Sequence, residues 1–234
     1  MLSTSTAVMI YNNIRKGTFI RRPNRFIAEV EIGGKVEICH VKNTGRCREL
    51  LVPGSTVYVN HVDNPARSTA YDLVAVYKND VLVNIDSYAP NRAFGEYLRQ
   101  GKFLGDVALI KAETKYGGSR FDFYMETVAG KAFIEVKGVT LEENGIAMFP
   151  DAPTERGIKH LNELAACIAD GYDAYVVFVI QMKGVTHFTP NYKTHQAFGD
   201  TLAKVIDAGV NVLAFDCVVK PDEMLVDSPI PIKL

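Results

Sequence analysis

The chain contains no apolar run approaching the roughly 20 residues that a membrane-spanning helix requires, so a helical membrane protein is not expected. Its first stretch, Met1 to Tyr11, lacks the charged start and sustained apolar block of a secretory leader. A cytoplasmic location is the expectation. Cysteine is sparse: Cys39, Cys47, Cys167 and Cys217 lie far apart and form no CxxC pair. That spacing argues against a zinc site and against a disulfide framework, and buried reduced thiols are expected instead. Internal repeats and low-complexity segments are also missing, which argues against solenoids and biased-composition tails.

What is present is an ordinary globular composition, 47% hydrophobic and 23% charged, over 234 residues. That length accommodates two domains. The net charge of -1 conceals an asymmetry. Up to Asp86 there are 11 Lys and Arg against 8 Asp and Glu; from Ser87 onward the counts are 15 and 19. Arg15, Lys16, Arg21, Arg22 and Arg25 all precede the first acid, Glu29. Such a cationic stripe suits a polyanionic partner such as nucleic acid, although a solvated strand face would carry the same residues.

The first third reads as strands and turns. Gly17 to Glu31 alternates and is interrupted near Pro23-Asn24, where a bend or bulge is expected. Gly33-Gly34 marks a hairpin turn before a strand from Val36 to Val41. A loop at Asn43-Thr44-Gly45 and one helical turn from Arg46 to Leu51 follow, then strands at Thr56 to His61, Tyr71 to Tyr77 and Val81 to Ile85. Short strands around one small helix suggest an OB-like β-barrel, residues 1–86, of the kind that binds oligonucleotides with cations and aromatics. Phe19, Phe26, Tyr58 and His61 are the aromatic candidates.

From residue 87 to 234 the pattern becomes α/β (α+β), a mixed sheet flanked by helices. Helices are expected up to Gln100, from Thr154 to Ala169 with Thr154 as N-cap, and over Thr194 to Asp207. Strands are expected at Ser119 to Glu126, Lys131 to Val139, Tyr175 to Ile180 and Val210 to Val219. The uninterrupted apolar run Tyr175 to Ile180 reads as a strand buried on both faces.

The chemistry concentrates in the hairpin from Ser119 to Val139. Closing it at Glu126 and Lys131 puts Phe123 opposite Ile134, Phe121 opposite Val136 and Asp122 opposite Glu135. The apolar residues Phe121, Phe123 and Met125 then share one face, and a one-residue slip would mix the faces. Opposed carboxylates repel. Proton sharing or a divalent cation such as Mg²⁺ would offset that repulsion. Lys137 shares the face of Glu135 and would orient an attacking water or stabilise developing negative charge. A surface salt-bridge network is the bland alternative.

Several stretches, in this order, resemble a known family: Asn43-Thr44-Gly45, Asp63-Asn64-Pro65, Pro90-Asn91-Arg92, Ser119-Arg120-Phe121-Asp122-Phe123, Glu135-Val136-Lys137, and Phe149 to Gly157 with Lys159-His160-Leu161. Together they are similar to the sugar fermentation stimulation (SfsA) family from about Gly17 to Pro231. The resemblance implies an OB-like barrel, a PD-(D/E)XK nuclease-like domain, DNA binding and a role in regulating sugar (maltose) utilisation. In PD-(D/E)XK nucleases the Asp and Glu hold Mg²⁺ or Mn²⁺, the carbonyl between Glu and Lys adds a ligand, and the Lys assists the water. Carried over, Asp122, Glu135 and Lys137 are catalytic, and Asp122, Glu135, Val136 and Glu96 are the metal set. Asn43 in the barrel loop and Gln181 on the strand after the active-site helix are candidate contacts to DNA. Arg156 and His160, one helical turn apart, would meet phosphate at the mouth of the site. The sequence departs from the family's pattern at Lys42, where Pro is expected, and at Arg46-Cys47, which replaces a small polar and apolar pair.

Two functions compete. One is a Mg²⁺-dependent nuclease acting on DNA, with RNA as a second candidate. The other is a non-catalytic DNA-binding regulator of sugar metabolism. Either is compatible with a homo-oligomer.

Overall fold

The computed structural model describes residues 9–43, 45–105 and 107–234; Thr44, expected in the barrel loop, lies outside them, as does most of the N-terminal stretch. The elements of the first part are β1 (Met9–Ile10), β2 (Ile14–Asn24), β3 (Ile27–Ile32), β4 (Lys35–Val41), β5 (Thr56–His61), β6 (Tyr71–Lys78) and β7 (Val81–Asn84). β4, β3, β2, β5 and β6 pair in that order, and a parallel pairing of β4 with β6 closes them into a five-stranded barrel. Alternation places Ala28, Val30, Cys39, Val41, Val57 and Val59 inside. β2 is irregular against β3 between Phe19 and Arg21 and again between Arg21 and Asn24, where the bend was expected. The helical turn expected at Arg46 to Leu51 is a hydrogen-bonded turn, with the amides of Leu50 and Leu51 donating to the Cys47 carbonyl at 3.2 and 2.9 Å.

The second part contains α1 (Ala89–Arg99), β8 (Val107–Tyr116), β9 (Ser119–Thr127), β10 (Gly130–Val139), β11 (Leu141–Glu143), β12 (Ile146–Phe149), α2 (Glu155–Ala169), β13 (Asp173–Ile180), β14 (His187–Pro190), α3 (Tyr192–Asp207), β15 (Asn211–Lys220) and β16 (Glu223–Pro229). Seven strands form a mixed sheet in the order β1-β16-β15-β13-β10-β9-β8. β1 thus leaves the barrel and pairs with β16, Met9 opposite Met224. β13 runs parallel between β10 and β15. Val177 and Val179 of β13 pack in one core with Phe94 and Leu98 of α1. Val176, Phe178 and Ile180 pack in the other with Leu161, Leu164 and Phe198 of α2 and α3. That two-sided burial explains the apolar run; each such side chain contributes about 1.5–3 kcal/mol.

α2 begins where expected, the Thr154 hydroxyl accepting from the Gly157 amide at 3.0 Å. α3 starts two residues earlier than expected, with Asn191 as its cap and a non-helical His195 inside it. β8 is the largest element absent from the sequence reading. Its residues show no clean alternation, because it is a half-exposed edge strand. Among the described residues no helix is long and apolar enough to cross a membrane.

Candidate active site

The β9–β10 hairpin has the expected register, from Thr127 opposite Gly130 through Glu126–Lys131 to Phe123 opposite Ile134. There the ladder stops. The next position would oppose Asp122 to Glu135, but the Asp122 carboxylate turns toward β10, and its Oδ2 accepts the Val136 amide at 2.7 Å. Its Oδ1 accepts from Asn91 Nδ2, at the start of α1, at 2.5 Å. On the opposite flank, Glu113 of β8 falls between the paired positions Ala112–Phe123 and Thr114–Phe121 and has φ of 54°. A non-glycine residue in that region marks a local distortion. Asp122 is therefore held where its strand's ladder to β10 has ended and the facing residue of β8 has an unusual backbone.

This distortion corrects one expectation. Phe121 does not share a core with Phe123 and Met125. It packs with Phe133 and edge-on to His160, at ring separations of 5.6 and 6.1 Å, whereas Phe123 faces Phe94 of α1. The opposition of Phe121 to Val136 is not formed because the side chain of Asp122 has taken the Val136 amide.

Glu135 is 4% exposed. Its Oε1 accepts from Lys137 Nζ and meets His160 Nδ1, both at 2.5 Å, while Oε2 is buried without a hydrogen-bond partner. Arg156 Nε donates to His160 Nε2 at 3.3 Å. That leaves Nδ1 to carry the proton donated to Glu135. A chain Arg156–His160–Glu135–Lys137 results. Burial raises the Glu135 pKa, but the His160 bond and the Lys137 charge outweigh it, and the carboxyl lies below its ordinary value. Asp122 behaves oppositely: burial first, and then the Glu135 charge, push it up to about 6 against the Val136 amide and Lys137.

Glu96 of α1 lines a cleft of about 310 Å³ with Asp122, Asn91, Arg92, Arg99 and Glu113. Its Oε2 is buried and unpartnered. Burial raises its pKa, opposed by Arg92 and Arg99. These features fit a divalent cation: a free buried oxygen on Glu135, another on Glu96, and an Asp122 disfavoured as an anion. Among the described residues no group of three or more His, Cys, Asp or Glu side chains is placed to hold a metal ion, so any cation here would, as these side chains stand, have fewer protein ligands of these types than three. Mg²⁺ commonly takes only one or two carboxylates, with water and phosphate completing its shell.

Three expected contacts to DNA are placed otherwise. His160 is 4% exposed with both ring nitrogens engaged, so it supports Glu135 rather than facing phosphate. Gln181 is 2% exposed, and its amide nitrogen donates to the Asn84 carbonyl and side chain and to the Asp86 carbonyl at 3.0–3.2 Å. It joins the sheet to the barrel. Arg22 spends both terminal nitrogens on four backbone carbonyls, those of Arg25, Asn43, Gly45 and Arg46. The basic stripe is also divided. Arg21 is bonded to Glu29, Arg15 and Lys16 are adjacent exposed residues whose side chains diverge by alternation, and Arg25 lies 5.7 Å over the Phe26 ring. Asn43 shapes its own loop, its Oδ1 accepting from the Gly45 amide at 2.8 Å. Arg156 remains exposed beside His160. Phe19 is core, Tyr58 packs near Tyr77 and His61 near Tyr71, leaving Phe26 as the half-exposed aromatic of the four candidates. Asn91 and Glu113 were not singled out from sequence; Asn91 lies within the quoted Pro90-Asn91-Arg92 stretch, and Glu113 had no signal because its strand had none.

The family model of the sugar fermentation stimulation protein RE domain matches residues 88–223, and that of the SfsA N-terminal OB domain matches residues 20–85. The chain belongs to the SfsA family. Its barrel is accordingly an OB domain. A sugar fermentation stimulation protein homolog of Clostridium beijerinckii is 60% identical over 216 residues, covering 92% of this chain and 96% of its own. One from Desulfitobacterium hafniense is 57% identical, covering 97% and 99%. The structure of Pyrococcus furiosus SfsA in complex with Ca²⁺ is 28% identical, covers 97% of this chain and 99% of that one, and has a TM-score of 0.88.

Proposed function

We propose that the chain is a metal-dependent nuclease of PD-(D/E)XK type that hydrolyses phosphodiester bonds in DNA, with RNA the second substrate candidate. One observation carries the reading. Asp122, bonded to the Val136 amide, brings its carboxylate beside the buried Glu135–Lys137 pair at the end of an interrupted ladder. Asp122 and Glu135 would hold Mg²⁺ or Mn²⁺, with Glu96 and the Val136 carbonyl as further ligands. The Ca²⁺ of the Pyrococcus furiosus protein is, like Mg²⁺, a hard oxygen-seeking cation and supports this assignment. When bound, the cation supplies Lewis-acid polarisation of the phosphate and acidifies its water. Lys137, whose ammonium is held at 2.5 Å by Glu135, orients the attacking water and offsets charge developing on the phosphate. His160 keeps Glu135 ionised and in place, and Arg156 fixes the tautomer that lets it do so.

The test is cleavage of labelled single- and double-stranded DNA with Mg²⁺, with Mn²⁺ and with EDTA, comparing wild type and Lys137→Ala. Cation-dependent cutting by wild type alone is expected. Equal cutting by both, or no cutting by either while binding persists, removes the assignment. The second reading, a non-catalytic DNA-binding regulator of sugar (maltose) metabolism, takes only its link to sugar from the relatives' name, sugar fermentation stimulation protein homolog, and is favoured by the double occupancy of Glu135 Oε1 by Lys137 and His160.

A further inference from the structure

A second cleft, of about 460 Å³, lies on the barrel where the β2–β3 turn meets the loop after β4 and the segment before α2. Arg22, Asn24, Arg25, Arg46, Arg48 and Ala152 line it, and no carboxylate does. Its construction follows from Arg22. One terminal nitrogen donates to Gly45 and Arg46 carbonyls at 2.9 and 2.8 Å, the other to Arg25 and Asn43 carbonyls at 2.6 and 2.7 Å. The guanidinium therefore ties the turn that carries Arg25 to the loop that carries Arg46 and Arg48. Buried Cys47, with φ of 46°, bends that loop between the two arginines.

Arg25, Arg46 and Arg48 are exposed and form no ion pair among the described residues. Their neighbours on the barrel differ: Arg21 is matched by Glu29 and Arg67 by Asp72. Glu49 and Asp151 act on the Cys47 thiol from outside the lining, and the Asp151 carboxylate, packed against Gly45, is the acid nearest the cleft wall among the described residues. Unmatched guanidiniums on a rigid floor favour planar, two-pronged recognition of phosphate oxygens. Beside them Phe26, 50% exposed with Arg25 over its ring, offers an aromatic face. Cations that track a backbone next to an aromatic that stacks a base are the two elements of single-strand recognition.

We propose that this cleft seats a phosphate group of a single nucleic-acid strand, with the adjoining base stacked on Phe26, apart from the centre at Asp122. The site rests on the nucleic-acid reading above but not on hydrolysis. The phosphate is either an internal phosphodiester or a terminal phosphomonoester, and binding experiments separate the two.

The experiment is calorimetric titration of the full chain, in EDTA, with one short single-stranded oligonucleotide bearing a 5′-phosphate, a 3′-phosphate or neither. Wild type is compared with Arg46→Ala/Arg48→Ala, with Phe26→Ala, and with Lys193→Ala/Lys204→Ala, which removes equal charge from α3. The arginine pair is expected to weaken affinity by at least about tenfold and to flatten the salt dependence by about 0.7 in logarithmic slope for each phosphate no longer neutralised. Phe26→Ala is expected to bind roughly 5- to 150-fold more weakly. A gain from a terminal phosphate that disappears in the arginine variant assigns the phosphomonoester; equal affinities with the same weakening assign the internal phosphodiester. An arginine variant that binds like wild type, or no worse than the α3 variant, overturns the cleft while leaving the hydrolytic centre standing. A wild type that binds none of the three oligonucleotides overturns the nucleic-acid reading together with the cleft. Absent cleavage with binding intact removes only the nuclease.

Discussion

Asp122 Oδ2 stands 2.7 Å from the Val136 amide nitrogen, at the point where the backbone ladder between their strands has ended. A side chain has replaced the strand's own carbonyl as acceptor. The exchange satisfies a buried donor and fixes a carboxylate beside Glu135, where burial first and then the Glu135 charge raise the Asp122 pKa.

Stability should depend on pH through Asp122. In the cation-free protein its carboxyl is pushed up to about 6, above the value of about 4 in an unfolded chain. A raised folded-state pKa gives stability that is fully present below the unfolded value and lost as pH climbs through the folded one. Asp122→Asn, which keeps an acceptor for the Val136 amide, is therefore expected to stabilise the protein in EDTA at pH 8 by on the order of 2 kcal/mol. The gain should shrink toward zero near pH 4. Thermal melts at both pH values check this; an equal change at the two would contradict it.

His160→Ala removes one of two donors to the buried Glu135 Oε1 and the acceptor for the exposed Arg156. A destabilisation of about 1–3 kcal/mol in urea denaturation is expected. Glu135 should titrate higher, since the His160 bond, the largest of the influences that offset its burial, is gone. A variant with wild-type stability would show that the short His160–Glu135 bond carries no weight.

Gly138 leaves no room for a side chain. A Cβ there would sit 2.6 Å from Gln181 Oε1 and 2.7 Å from Pro90 Cγ. Gly138→Ala is expected to destabilise by about 1–3 kcal/mol through overpacking, read as a lower denaturation midpoint. Its position directly after Lys137 makes cleavage a second readout.

Arg21 and Arg22 are neighbours with different fates. Arg21→Ala removes an exposed pair with Glu29 and should leave the denaturation midpoint unchanged. Arg22→Ala breaks four bonds to loop carbonyls and should lower it, by roughly 1–3 kcal/mol. Arg22→Lys should not rescue it, because an ammonium lacks the planar fork that reaches four acceptors. Equal melting of the Arg21 and Arg22 variants would remove Arg22 from its place under the cleft.

Local rules carried the sequence reading far. The hairpin register followed from the apolar alternation around Phe123 and Ile134, since a slip would have exposed both. The N-cap at Thr154 and the doubly buried β13 followed from capping chemistry and from an uninterrupted apolar run. β8 was not legible, because a half-exposed edge strand has little apolar pattern to show.

Which residue types occupy the centre was written in the chain: Asp122, Glu135 and Lys137 meet because two adjacent strands of known period must meet. What each charged group does there was decided only by tertiary structure. His160 and Arg156 share a helix face in either reading, but packing α2 over Phe121 buries the imidazole against Glu135 instead of presenting it to solvent. Arg22 and Arg25 are alike in sequence, yet loop closure consumes one and frees the other. Periodicity reports which side of an element a residue occupies. Hydrogen-bond partners across dozens of intervening residues depend on how the elements pack, and no local pattern encodes that.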